Sequence, residues 1–392
     1  MNQDDNEPTL YENEAASSQG ADFKSRVASR LTGVRRTLGS ITKKRTSVLE
    51  DSGSTPIKNK LSFKAGANSS SASKSDIEKA ALVLTKSTES QEQQDALKTL
   101  SCIKSAHRQF LFSQLQQHKL FSIAFPTLAQ SFPNKIAEIV LDVSSQDEAL
   151  TIELYRELRV NPEFYSKFLT LTGTEEDALL TLVNVSKCSA LRIDLLADLK
   201  DLWTTGLVRW IRYPTSPEQL LEALQLLLGL SIEEANRVSM YSDLKPAEKS
   251  LMDLITQYRM NNNEEVLRLS LSLFGNLAAH RYNASYLGHS LKPVWNALQE
   301  LILAKDTAKD VLLAVVQLMW SLSSVRDNNE VFSYLDVKPL LSSLMDVVRN
   351  GKTAPQLTLA VVGLWNNLAS IHENRPVIHN DLKAMWPTFV QF

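Results

Sequence analysis

Two short sequence marks recur about every forty-five residues in the second half of the chain, and this period constrains the fold more than any other feature. The first mark is an apolar residue followed by lysine, and its apolar positions are Leu199, Leu244, Leu291, Val337 and Leu382. The second is a segment rich in small residues, centred on Val185, Leu230, Leu277, Leu322 and Leu368. Two independent marks with one period predict a stack of similar structural units.

Each unit is predicted to consist of helices. Apolar residues recur at three- and four-residue steps, and the 392-residue chain contains only 12 glycines and no clear hairpin signal. The polar residues that open the first mark are expected to cap a helix, and in three units Pro246, Pro293 or Pro339 lies in the first turn of that helix. These expected N-caps are Asp198, Asp243, Ser290, Asp336 and Asp381. A longer helix follows in each unit, apolar over more than half of its circumference, so neighbouring units must bury it.

The composition divides the chain into three parts. Residues 1–75 are rich in Ser, Lys, Asn and Gly, cannot bury enough apolar surface to offset their ordering entropy, and are predicted to be a disordered regulatory tail. Residues 76–176 are predicted to form degenerate helical repeats. Residues 177–392 are predicted to hold five repeats of about 45 residues, the last incomplete.

The bulk properties exclude several classes of protein. The formal net charge of −2 gives no overall field for nucleic acid, and none is expected as a partner. The two cysteines cannot form a disulfide framework, and no metal-binding spacing or cofactor motif occurs. The polar, acidic N-terminus is unlike a secretory signal, and the apolar stretches are too short to span a bilayer. We therefore expect a cytoplasmic or nuclear protein without metal or cofactor.

The repeat units resemble armadillo repeats. The segments Gly275–Ala278 and Asn366–Ala369 are similar to the Asn-Leu-Ala ending of the family's third helix, and Asn283, Asn328 and Asn374 follow where the family places an Asn in the next turn. The resemblance implies an all-α fold, a right-handed armadillo/HEAT-like helical solenoid preceded by the disordered tail. For residues 76–176 the likeness is loose, and HEAT-type helical pairs are the alternative.

The resemblance also implies a partner-binding groove on the concave face, lined by the third helices. The family's groove positions map to Asn184, Gln225, Asn276, Gln317, Ser321 and Asn367, with Gly229 and Ser272 at equivalent places. Polar amides there can hydrogen-bond the backbone of an extended peptide. Alternatively, each Asn only satisfies polar groups within the stack.

The sequence departs from the nuclear-import adaptors of this family. Their tryptophans precede the groove Asn by four residues, whereas Trp320 and Trp365 lie at other positions and are expected in the core. At the C-terminal end, Trp386, Phe389 and Phe392 would either favour a partner or self-association, or fold back onto the last repeat.

The tail contains a basic amphipathic segment at residues 23–45, with eight basic residues and no acid. Its predicted docking residues are Phe23, Val27, Arg30, Leu31, Val34, Arg35, Arg36 and Leu38. It could dock on an anionic membrane or an acidic partner, or be only a disordered basic stretch or an import signal. Candidate phosphorylation sites are Ser29, Ser47 and Thr55, where a phosphate would oppose docking of the segment.

No motif for catalysis occurs in the sequence. The function expected is therefore that of a non-enzymatic adaptor or scaffold that holds an extended peptide or helix of another protein. The alternatives are a chaperone cofactor of the nucleotide-exchange or myosin-chaperone type, a membrane-surface organiser acting through the basic segment, and a nuclear-import adaptor.

Overall fold

The computed structural model describes residues 72–103, 105–144, 147–260, 263–333, 337–349, 355–376 and 378–380. All of them belong to the unit formed by residues 64–392, and every regular element within them is helical. The predicted tail therefore lies outside the described residues except for its last four. The first described helix begins at Lys74.

The N-terminal part of the unit contains helices without a strict repeat. They are α1 Lys74–Lys86, α2 Ser90–Leu100, α3 Arg108–Gln117, α4 Leu120–Ile123, α5 Phe125–Ser131, α6 Pro133–Ser144, α7 Glu148–Val160 and α8 Pro162–Leu171. A capping box fixes the start of α1, since the side chains and backbones of Ser73 and Asp76 bond reciprocally. Further along, Phe121 packs its ring against those of Phe112, Phe125 and Phe164, which joins α3, α4, α5 and α8 in one core.

From residue 176 onward the three-part unit predicted from the sequence recurs. Each unit consists of a short first helix, a second helix and a long third helix. The third helices are α9 Glu176–Lys187, α12 Pro217–Ile232, α15 Glu264–Ala278, α18 Lys309–Ser323 and α21 Pro355–Ser370. The first helices are α10 Arg192–Asp198, α13 Arg237–Leu244, α16 Arg281–Ser290 and α19 Asn329–Ser333. The second helices are α11 Val208–Arg212, α14 Glu248–Met260, α17 Trp295–Leu303 and α20 Val337–Arg349.

The third helices stack on one another in chain order, and α6 continues their row at the N-terminal side. Their burial follows the predicted pattern. In α15, eleven of the fifteen residues are buried, so this helix is packed on several sides at once. The described unit is thus a helical solenoid in which neighbouring repeats bury each other's apolar residues.

The expected N-caps of the second helices at Asp198, Asp243 and Ser290 are wrong. Asp198 and Ser290 end first helices instead, and Asp243 is the penultimate residue of one. The 3₁₀ turns at residues 245–247 and 292–294 lead directly into second helices, whereas the turn at 200–202 is followed by a π-helix at residues 203–207 and then by α11. Because Leu291 N donates to Leu287 O at 2.9 Å and Val294 N donates to Leu291 O at 2.9 Å, the donors at this bend already have backbone acceptors. No cap is therefore needed. Asp336 and Asp381 lie outside the described residues.

Buried asparagines join each repeat to the one before it. Asn283, which is fully buried, donates its amide to Arg237 O of the preceding first helix at 2.8 Å and to Leu277 O of its own third helix at 3.1 Å. The same pair of bonds is made by Asn236 to Arg192 O and Leu230 O, both at 3.1 Å, and by Asn328 to Ala284 O at 2.9 Å and Leu322 O at 2.8 Å. This asparagine staple fixes the register between successive repeats.

Arginines next to the staple cap the third helices. Arg192 donates from Nε to Ser186 O at 3.0 Å, and Arg237 donates from Nε to Ser231 O at 3.1 Å. A cation at the C-terminus of a helix binds its last carbonyls and complements the helix dipole. Both guanidinium groups are buried by this contact.

Candidate partner-binding face

The half-exposed residues of the six helices α6, α9, α12, α15, α18 and α21 form one surface, which we call the third-helix face. It includes Glu138, Leu180, Gln225, Ser272, Gln317 and Leu359, one from each helix, all of which are only partly buried. Since successive third helices pack directly on each other, this surface continues from repeat to repeat. It is the place where a partner could contact several repeats at once.

Three of the predicted groove asparagines bond within the stack. Asn184 donates its amide to Ser144 Oγ at 3.2 Å, and Asn276 donates to Ser231 Oγ at 3.0 Å. Asn367 donates to Ser323 Oγ at 3.1 Å and to Trp320 O at 3.2 Å. Each bond joins one third helix to the preceding one, so the amide hydrogens of these side chains serve the packing of the repeats.

The remaining predicted groove residues differ in their exposure. Ser321 is 2% exposed and therefore lies between helices instead of on the surface. Gln225 and Gln317 are half-buried on the third-helix face, and no hydrogen bond joins their side chains to another described residue. These two glutamines are the predicted groove residues best placed to meet a ligand.

Gly363 occupies the position at which the import adaptors carry a tryptophan. Here the side chain of Trp320, on the neighbouring helix α18, fills that space. A Cβ atom added to Gly363 would lie 2.2 Å from Cε2 of Trp320, so the indole ring rests directly on the α21 backbone. Trp365 is buried, as expected for a core residue. Trp320 is instead half-buried on the third-helix face, which the sequence did not predict.

Acidic side chains gather on the N-terminal part of the third-helix face. We call this the acidic cluster, and its members are Glu138, Asp142, Glu176, Asp177, Glu218 and Glu222, from α6, α9 and α12. Their charges act on one another across the helices. Burial and the neighbouring carboxylates, Glu138 among them, raise the pKa of Asp142 and of Asp177 to about 6.

Only part of the acidic cluster is neutralised by cations of the described chain. Lys135 Nζ lies 2.6 Å from Glu138 Oε2, and Arg108 Nη2 lies 3.9 Å from Asp142 Oδ1. Within the described residues the other four members form no ion pair. The cluster therefore presents an excess of negative charge.

Glu222 is the most unusual member of the cluster. It is 5% exposed, and its Oε2 has no hydrogen-bond partner among the described residues. Burial is the largest cause that raises the pKa of its carboxyl to about 9, followed by the charge of Glu176 and a side-chain hydrogen bond with Glu176, and then by the charges of Asp177 and Glu218. Sequence reasoning missed this site. The signal was the spacing of Glu218 and Glu222, since like charges four residues apart repel each other on a helix.

Several predictions fall outside the described residues. These are the docking residues and phosphorylation sites of the tail, and the aromatic residues after position 380. Among the described helices none is long and apolar enough to cross a membrane, and no group of three His, Cys, Asp or Glu side chains there could hold a metal ion.

No protein-family model matches the chain, and no curated protein matches its sequence. An engineered protein of known crystal structure is similar in fold, with a TM-score of 0.54 and 15% identity over 78% of this chain and 81% of that one. A designed armadillo repeat protein has a TM-score of 0.41 and 15% identity over 74% of this chain and 99% of its own. Another, in complex with the peptide (KR)4, has a TM-score of 0.45 and 16% identity over 74% and 98%. With its three-helix period and its stacked third helices, the described part of this chain is an armadillo-like helical solenoid.

Proposed function

We propose that this protein is a non-enzymatic scaffold that binds a segment of another protein along the third-helix face. One observation carries the proposal: half-exposed side chains line six helices that follow one another in the stack, and they are polar at Glu138, Gln225, Ser272 and Gln317. A stack of this kind buries its apolar residues between repeats and leaves an elongated surface for a partner.

The chemistry of the face suits an extended segment. Gln225 and Gln317 offer both amide donors and carbonyl acceptors on α12 and α18, and an extended peptide exposes the matching backbone groups along its length. Leu221 and Leu313, one turn earlier on the same helices, are also half-buried and can receive apolar side chains. Such a face combines backbone recognition with shallow apolar contacts.

The test is to locate the binding site by photo-crosslinking. A photoreactive amino acid replaces Gln225 or Gln317 in the full chain, and a display library of short random peptides is selected on the wild-type protein. We expect the selected peptides to crosslink at both positions. Glu234 and Glu330, exposed on the first-helix side, are the matched control positions. Crosslinks at the control positions alone would overturn the proposal.

A further inference from the structure

We propose that the first-helix side of the solenoid carries a second docking site, which binds a proline-rich segment that contains an acidic residue. The site, which we call the tyrosine site, consists of Tyr282 and Tyr286 on α16, Tyr241 on α13 and Lys245 in the turn after α13. It belongs to other helices than the third-helix face and does not depend on the function proposed there. Two observations carry the inference: an exposed pair of tyrosine rings, and a lysine that rests on aromatic rings without a carboxylate partner.

The exposed pair comes from the spacing of two tyrosines along α16. Residues four apart lie on the same face of a helix, so the side chains of Tyr282 and Tyr286 meet. Their ring centroids are 5.0 Å apart, and the ring planes are tilted by 59°. Tyr282 is 56% exposed and Tyr286 is 48% exposed, although large aromatic rings gain most from burial. Two adjoining aromatic rings that the fold leaves in solvent are typical of a binding surface.

The charge of the tyrosine site comes from Lys245. Its Nζ lies 5.4 Å from the ring centroid of Tyr286 and 5.7 Å from that of Tyr241, within the range of a cation–π interaction. Glu248, one turn further on, accepts from the Tyr241 hydroxyl at 3.4 Å, and Lys245 forms no ion pair within the described residues. An ammonium group has three N–H donors, so Lys245 is able to bind a carboxylate of a partner.

The aromatic pair favours proline as the residue that packs on it. A polyproline II segment has no internal hydrogen bonds, keeps its backbone carbonyls free, and loses little entropy on binding because its conformation is preformed. The rings of Tyr282 and Tyr286 offer apolar faces to proline, and tyrosine hydroxyls donate to backbone carbonyls. A hydrogen bond with Tyr282 is the largest cause that raises the pKa of Tyr286. Tyr286 is therefore the donor within the pair, and the Tyr282 hydroxyl keeps its proton for the ligand.

Lys245 sets the sign of the charge that accompanies the proline. An ammonium that no carboxylate neutralises repels a basic segment, whereas an acidic side chain pairs with it. The ring centroid of Tyr286 lies 5.0 Å from that of Tyr282 and 5.4 Å from Lys245 Nζ. One turn of polyproline II spans about 9 Å in about three residues. An acidic residue within about three positions of the proline therefore reaches Lys245 while the proline contacts the tyrosine pair.

The test uses fluorescence-labelled peptides of repeated Pro-Pro-Glu units, with the full chain as receptor. Peptides of repeated Pro-Pro-Gln and Ala-Ala-Glu units, equal in length, serve as ligand controls. We expect the Pro-Pro-Glu peptide to bind most tightly in low salt, and Tyr282→Ala to weaken its binding about tenfold. Lys245→Gln should lower the affinity for Pro-Pro-Glu to that for Pro-Pro-Gln, because these two peptides differ only in the charge that Lys245 binds.

Tyr213 provides a matched control for the loss of an exposed aromatic ring. It is 65% exposed, and its ring centroid lies 5.3 Å from Cζ of Arg212, but it belongs to another repeat. Tyr213→Ala should therefore bind the peptides as the wild type does. Lys305→Gln, at an exposed position outside the site, is the control for Lys245→Gln. Tyr282→Phe keeps the ring and should retain most of the binding, which separates a lost ligand contact from a folding defect in Tyr282→Ala.

Equal binding of the Pro-Pro-Glu and Ala-Ala-Glu peptides by the wild type would overturn the inference, and so would unchanged binding by Tyr282→Ala. Self-association of the wild type that Tyr282→Ala abolishes, with no binding of any peptide, would also overturn it, because the tyrosine site would then bind a second copy of this chain. Crosslinking at Gln225 and Gln317 is independent of these results. If those crosslinks form while the proline peptides fail, the scaffold function stands and the tyrosine site falls.

Discussion

At the scale of single residues, Glu222 shows how a folded chain can hold a proton at neutral pH. Its carboxyl is 5% exposed, and Glu176, Asp177 and Glu218 oppose its ionisation. In an unfolded chain the pKa of a glutamate is about 4.3, whereas in the fold the pKa of Glu222 is raised to about 9. Between these values the folded state binds a proton that the unfolded state has released.

This difference predicts how stability depends on pH. The contribution of Glu222 to the free energy of unfolding is fully present below about pH 4.3 and is lost as pH rises towards 9. Glu222→Gln keeps the shape of the neutral carboxyl and removes this loss. We therefore expect the variant to gain about 1–3 kcal/mol over the wild type between pH 5 and pH 8.5, measured by urea denaturation.

The exposed acid Glu234, replaced by Gln, provides the control for the loss of one carboxyl. Parallel stability curves for wild type and Glu222→Gln across this pH range would show that the Glu222 pKa is not raised. Asp142 and Asp177 act in the same direction over a lower range, because their folded pKa values are about 6.

At the scale of elements, the stacked third helices meet through two kinds of contact, an asparagine–serine hydrogen bond or the close approach of a glycine. Asn184, Asn276 and Asn367 each bond a serine of the preceding third helix. Gly229 occupies the equivalent position on α12, and the side chain of Ser186 fills the space that an amide would take. The glycine is thus required by the close approach of α12 to α9.

A double-mutant cycle tests this close approach. A Cβ atom on Gly229 would lie 2.3 Å from Ser186 Oγ and 2.9 Å from its Cβ, so Gly229→Ala should destabilise the protein by about 1–3 kcal/mol. Ser186→Gly removes both opposing atoms, and the double variant should recover about 1 kcal/mol or more of coupling energy by urea denaturation. Gly173→Ala, whose nearest neighbour would be Thr170 O at 3.6 Å, is the control. If the free-energy losses of the two single variants simply add in the double variant, Gly229 and Ser186 are not in contact.

The elements also show what the sequence could predict. Periodicity predicted the stacked units, because burial of the third helices demands apolar residues at every turn. It could not predict that Asp198 ends a helix. The carboxylate of Asp198 accepts a hydrogen bond from the hydroxyl of Tyr165 at 3.0 Å, and these two residues lie far apart in the sequence. Asn236 was overlooked although the period pointed to it, since it follows Leu230 by six residues as Asn283 follows Leu277. Only its bond to Arg192 O required the folded chain. The acidic cluster could not be predicted from the sequence, because its members come together only when α6, α9 and α12 stack.

At the scale of the whole described unit, stability is distributed between neighbours. Each asparagine staple joins a repeat to the one before it, and each third helix packs on the third helices next to it. In such a stack the free energy is a sum of repeat terms and nearest-neighbour interface terms. A local defect should therefore weaken adjacent repeats and leave remote ones unchanged.

Removal of one staple makes this locality measurable. Asn328→Ala leaves the carbonyls of Ala284 and Leu322 without the amide that now donates to them at 2.9 Å and 2.8 Å, which should cost about 1–3 kcal/mol. Hydrogen exchange followed by mass spectrometry should show faster exchange in α16 to α19 and unchanged exchange in α1 to α8. Asn366→Ala, at an exposed position of α21, should leave the exchange of α16 to α19 at the wild-type rate. A uniform increase from α1 to α19 would mean that the unit opens as a single cooperative body, because a defect at one interface can reach distant repeats only if every intervening interface opens with it.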